Sequence, residues 1–198
     1  MGLIAVKIDR KLNFVSTITR DDGSLVYLHV TPFPYEVVEE NCVLLGNLFN
    51  NFFTMVGTVG APRVAAMMLR KVLKSQQDNG AMPDGTPTLM DDIERLTTVI
   101  WKDDGVWKSV PLAAAFKGGI ITPDEYREVE GEVVFFMVSS AIQKADLLSG
   151  TMGKSLEMYS GQLVSLNVMA YRDSLPTSKT DTDTPIPEAQ PELSHIPS

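Results

Sequence analysis

The nearest approach to a reactive motif in these 198 residues is Gly150-Thr151-Met152-Gly153-Lys154-Ser155. A phosphate-cradling loop needs four residues between its glycines, then Lys and Ser or Thr, at the end of a buried strand. Here only two residues separate Gly150 from Gly153, and Leu148 stands where the first glycine belongs. The preceding Ile142-Gln143-Lys144-Ala145 reads as helix, so the string is expected to be a glycine break between two helices. The competing reading is a nucleotide-dependent enzyme using Gly153-Lys154-Ser155. The two histidines are far apart in kind: His29 lies in a β-rich run, where it is expected to face solvent or a polar contact, and His195 in a Pro-rich tail. No paired Cys/His spacing and no HExxH is present, which argues against a zinc site. A Ser-His-Asp triad would have to use His29, and no glycine-flanked serine elbow accompanies it. Cys42, the single cysteine, lies in an apolar helical run and reads as a small buried hydrophobe. Among the carboxylates, Asp103/Asp104 belongs to a turn and Glu128/Glu132 reads as a solvated helix face. The expectation is a protein that is not an enzyme and carries no cofactor and no metal.

Charge points the same way. The chain has 17 Lys and Arg against 25 Asp and Glu, a formal charge of −8. Nucleic-acid affinity rests on clustered cations facing phosphates, and the one basic cluster, Arg70, Lys71 and Lys74, sits at a helix end whose dipole it complements. Neither nucleic acid nor an anionic membrane surface is expected as a partner. No run reaches the roughly 18 uninterrupted apolar residues of a spanning helix, and Met1 to Lys7 lack the basic-then-apolar order of a secretory signal.

Leu12, Phe14 and Ile18 alternate at period two, Arg20-Asp21-Asp22-Gly23-Ser24 supplies a turn, and Leu25 to Val30 resumes a β-rich run. This predicts an antiparallel hairpin. Val99-Ile100-Trp101 and Val106 to Val110, flanking Lys102-Asp103-Asp104-Gly105, predict a second. Helices are predicted from Tyr35 to about Val56, from Ala61-Pro62 onward, around Leu89, Ile93 and Leu96, from Pro111 to Phe116, and from Thr122 to about Leu148. In the last of these, Thr122-Pro123-Asp124-Glu125 carries an N-cap, a first-turn proline and first-turn acids. Leu156, Tyr159, Leu163, Leu166 and Met169 predict a final helix. The predicted fold class is mainly α (α+β): one helical domain over residues 1–173 with two small β-hairpins, followed by a disordered Pro/Thr/Asp-rich tail over 174–198.

What remains is a signal for binding. Leu48, Phe49, Phe52, Phe53, Met67 and Met68 form an aromatic and Met-rich set on two helices. Such residues fill cores, and where exposed they make an adaptable groove for an apolar helix. They are the candidate partner-binding residues.

Several strings recur in one order in a known protein group. They are Lys11-Leu12-Asn13-Phe14-Val15, Thr31-Pro32, Gly60-Ala61-Pro62-Arg63-Val64-Ala65-Ala66-Met67-Met68-Leu69, Glu130-Gly131-Glu132-Val133-Val134-Phe135-Phe136, Gln162-Leu163-Val164-Ser165-Leu166-Asn167 and Ser174-Leu175-Pro176-Thr177-Ser178. On these the chain resembles the tail assembly chaperones of long-tailed, non-contractile bacteriophages, over about Lys11 to Ser178. It departs in the stretch Met1 to Arg10 and in the long C-terminal tail. The resemblance implies a non-enzymatic protein in the cytoplasm of the infected bacterial host. Its partner would be the tape-measure protein, kept soluble while the tail tube polymerises around it. It further implies a longer frameshifted form whose extra domain recruits the tail tube protein. Homo-oligomerisation is left open, and a minor structural protein of the virion is the alternative reading.

Overall fold

The computed structural model of the chain describes residues 12–81, 83 and 85–176. Two strands, β1 (Asn13–Thr19) and β2 (Leu25–Val30), form the first hairpin, with Phe14 opposite Val30 and Ile18 opposite Val26. Strands β3 (Thr97–Asp103) and β4 (Val106–Pro111) form the second, turning at Asp104 and Gly105, both in the left-handed region. The hairpins are not separate. Leu28 pairs with Val99 across β2 and β3, and a fifth strand, β5 (Gly161–Val164), pairs with β1. The result is one five-stranded antiparallel sheet in the order β4-β3-β2-β1-β5. A mainly helical domain with two small hairpins is therefore corrected to a mixed α+β fold. The physical reason is the apolar alternation on both hairpins, which is satisfied only when their central strands pair.

Between the hairpins come α1 (Tyr35–Glu40), α2 (Cys42–Asn51), a π-helical turn (Phe52–Val56), α3 (Gly57–Asp78) and α4 (Leu89–Arg95). The single helix predicted from Tyr35 to Val56 is thus divided. Its end is set by Gly57 at φ 73, a backbone geometry suited to glycine. The next helix starts there, with Pro62 inside its second turn. After the second hairpin follow α5 (Leu112–Lys117) and α6 (Pro123–Ile142). The start of α6 is the predicted one, with reciprocal capping between Thr122 and Glu125. It ends at Ile142, and α7 (Ala145–Glu157) runs straight through Gly150 and Gly153. Each glycine costs a helix about 1 kcal/mol, but Leu148, Met152 and Leu156, four residues apart, are buried and hold the helix to the core. The expected glycine break is absent, and so is the predicted helix across Leu163. A short α8 (Val168–Ser174) ends the described fold. The tail assigned from Ser174 to Ser198 lies, beyond Pro176, outside the described residues.

The central element is α6, buried on nearly all sides from Val129 to Ser139. Its consecutive phenylalanines face opposite layers. Phe136 stacks on Phe14 of the sheet at 5.3 Å, and Phe135 meets Phe52 of the π-helical turn at 5.6 Å. Along β1 the contacts step down the helix, from Phe14–Phe136 to Ser16–Glu132 to Arg20–Glu125. Helix α3 covers the other side of α6 through Ala61, Ala65, Ala66 and Leu69, all buried. The opposite face of the sheet carries Val15, Tyr27, Ile100 and Trp107 and is covered by α8 through Tyr171 and Val168. His29 belongs to this face and is fully buried, so of its two expected settings, solvent or a polar contact, it takes the second. Its Nε2 lies 3.0 Å from the Leu166 carbonyl, and burial holds its pKa below the ordinary value. Cys42, expected inside, is exposed at the start of α2.

Candidate functional site

The six candidate residues divide by burial. Leu48 and Phe52 are fully enclosed, at 1% and 0% exposure, and belong to the core. Phe49 and Phe53 lie at its margin with ring centroids 4.7 Å apart, and Met68 packs partly against it. Only Met67 is a surface side chain, 58% exposed. The set therefore does not form one surface. Met67 points outward because Ala61, Ala65 and Ala66 make the inner stripe of α3 and let it approach α6 closely. At the closest point Gly131 faces Pro62, where a Cβ on Gly131 would stand 2.1 Å from the Pro62 carbonyl oxygen.

Beside that contact the two helices part and leave a groove of about 540 Å³. Met67, Arg63 and Ala66 line it from α3, Glu128, Glu130 and Glu132 from α6, and Tyr159 from just past α7. Tyr159 donates its hydroxyl to the Val59 carbonyl at 2.8 Å, which ties the end of α7 to the start of α3. At this junction Val59 and Met158 stand more than half exposed, and so does Met55 of the π-helical turn. Isolated exposed apolar residues are ordinary, and of these exposed side chains Met67 is the one that lines the groove.

Two acids are buried beside the groove, and sequence reasoning places one of them, Glu132, in water. Glu130 is 3% exposed and pairs with Arg70 of α3. Glu132, 5% exposed, accepts a hydrogen bond from Ser16 Oγ at 2.9 Å. Burial outweighs that hydrogen bond and pushes its carboxyl up to about 7. The solvated face expected for Glu128 and Glu132 thus holds for Glu128 alone. Nothing local separates the two: the i,i+4 acidic pair reads as surface until β1 is laid across the helix.

The Gly150–Ser155 string lies within α7, with Ser155 buried, and makes no loop that could wrap a phosphate. Among the described residues no group of three His, Cys, Asp or Glu side chains is placed to hold a metal ion. No helix of the described residues is long and apolar enough to cross a membrane. No protein-family model, no curated protein and no solved structure matches this chain, so its own residues and geometry carry the functional argument.

Proposed function

We propose that this protein is a bacteriophage tail assembly chaperone that binds the tape-measure protein and keeps it soluble in the cytoplasm of the infected host while the tail tube forms. The observation that carries this reading is the set of exposed apolar side chains Met55, Val59, Met67 and Met158, of which Met67 lines the α3–α6 groove. A tape-measure protein offers long apolar helical stripes, and helix-in-groove docking on Met-rich surfaces suits such a client. The net charge of −8 adds solubility to the complex. The resemblance of the strings from Lys11 to Ser178 to this chaperone group supplies the identity of the client, which groove chemistry alone does not specify.

The reading is tested in infected cells and in finished particles together. A chaperone is captured with the tape-measure protein from cells during assembly and is missing from purified virions by mass spectrometry. Stoichiometric recovery of this chain from virions would instead establish a minor structural component of the particle.

A further inference from the structure

Where β1 begins and β2 ends, the corner between α6 and α7 opens a second cavity, of about 360 Å³. Leu12 enters it from just before β1, Phe33 from just after β2, Tyr35 and Val38 from α1, Ile142 from α6 and Leu148 from α7. Phe33 and Leu148 are buried, whereas Tyr35 and Ile142 stand in solvent at 71% and 42% exposure. Lys144 is the one charged residue of the lining among the described residues. Such a surface leaves apolar area in water that an aliphatic occupant would remove.

The chain itself supplies an occupant of that chemistry. Residues 1–11 lie outside the described residues, and they end at the wall of this cavity, because Leu12 is part of its lining. Within them Ile4, Val6 and Ile8 fall at every second position, in phase with Leu12 and Phe14 and interrupted only at Arg10. Ile8 stands four residues before Leu12, a reach of up to about 13 Å in an extended chain. We infer that Val6 and Ile8 of this N-terminal segment occupy the cavity of their own chain, covering Tyr35 and Ile142 and clasping α1 to the α6–α7 corner. The tether decides for this occupant. A segment attached at the wall is present there at an effective concentration in roughly the millimolar range, well above that of a second copy or a client helix in solution. The inference stands apart from the chaperone reading, whose face is Met67 on α3.

The experiment uses the full chain with the exposed Cys42 replaced by serine and Ile142→Cys as the single thiol at the rim. Its rate of alkylation by neutral iodoacetamide reports whether the rim is covered. C42S/I142C is expected to react about tenfold more slowly than the same chain carrying V6D/I8D, at a rate independent of protein concentration. I8A, which introduces no charge, is expected to fall between the two, and A5D/K7D to react like C42S/I142C. Near-ultraviolet circular dichroism checks that each variant is folded; where V6D/I8D fails that check, I8A decides, and an unchanged rate overturns the inference. Equal rates with and without V6D/I8D overturn it, as does equal acceleration by A5D/K7D. Protection that fades on dilution overturns it too, and assigns the cavity to the segment of a second copy.

Discussion

Replacing Glu132 by glutamine removes one titrating group from the interface of α6 and β1 and leaves its shape and its hydrogen-bond acceptor for Ser16 Oγ in place. The carboxyl titrates at about 7 in the folded chain against an ordinary value of 4.5. An acid whose folded pKa is raised binds extra protons when folded, so its penalty is absent below the unfolded value and complete above the folded one. Stability from this group is therefore lost as pH rises from 4.5 to about 7, and a rise of that size corresponds to about 3 kcal/mol. Glu132 is only 5% exposed, so solvent screening does not discount this much. E132Q is expected to match the wild-type chain near pH 4.5 and to exceed it by about 2–3 kcal/mol at pH 8. Urea denaturation followed by circular dichroism at a series of pH values gives both curves. A variant that is less stable at pH 8, with the wild-type pH slope between 5 and 7 intact, would refute the placement of this carboxyl inside the fold.

Gly131→Ala sets helix propensity, which favours alanine by about 1 kcal/mol, against a Cβ placed 2.1 Å from the Pro62 carbonyl oxygen. Backbone cannot yield cheaply, so a net loss of about 2 kcal/mol is expected in urea denaturation; an unchanged or stabilised variant would show that α3 and α6 do not meet there. His29 has the opposite pH dependence to Glu132. Its pKa is lowered by burial, so its contribution is complete above the unfolded value of about 6.5 and is lost as pH falls through the folded value. In an E132Q background, stability should decline on acidification below pH 6.5, and His29→Gln should flatten that decline. The double variant M67D/M158D alters exposed side chains and should change stability by no more than about 1 kcal/mol, while weakening capture of the tape-measure protein at least tenfold; unchanged capture would remove this face from the contact.

Much of the local structure is written in short patterns. The period-two alternation of Phe14 and Ile18, the Gly23 and Gly105 turns and the Thr122 capping box each specify their element without help from the rest of the chain. The errors fall where distant contacts decide. Strand β5 is four residues long, and Leu156, Leu163 and Leu166 imitate a helical stripe; only the free edge of β1 turns Gly161–Val164 into a strand. Gly150 and Gly153 look like a break until Leu148, Met152 and Leu156 are seen buried together. The site was legible in part. Met67 is the one candidate more than half exposed, because the alanines of α3, weak as a hydrophobic signal, are the residues that pack toward α6. Glu132 and Tyr159 were unreadable as site residues, since both acquire their setting from elements more than ninety residues away in sequence.

The most direct test of the chaperone reading is co-expression of this chain with the tape-measure protein encoded in the same genome, with the soluble fraction and its stoichiometry as the readout. The account predicts a soluble complex, with several copies of this chain on each tape-measure protein, that is lost with M67D/M158D. A tape-measure protein that stays insoluble beside abundant soluble chain, with nothing co-purifying, would contradict it.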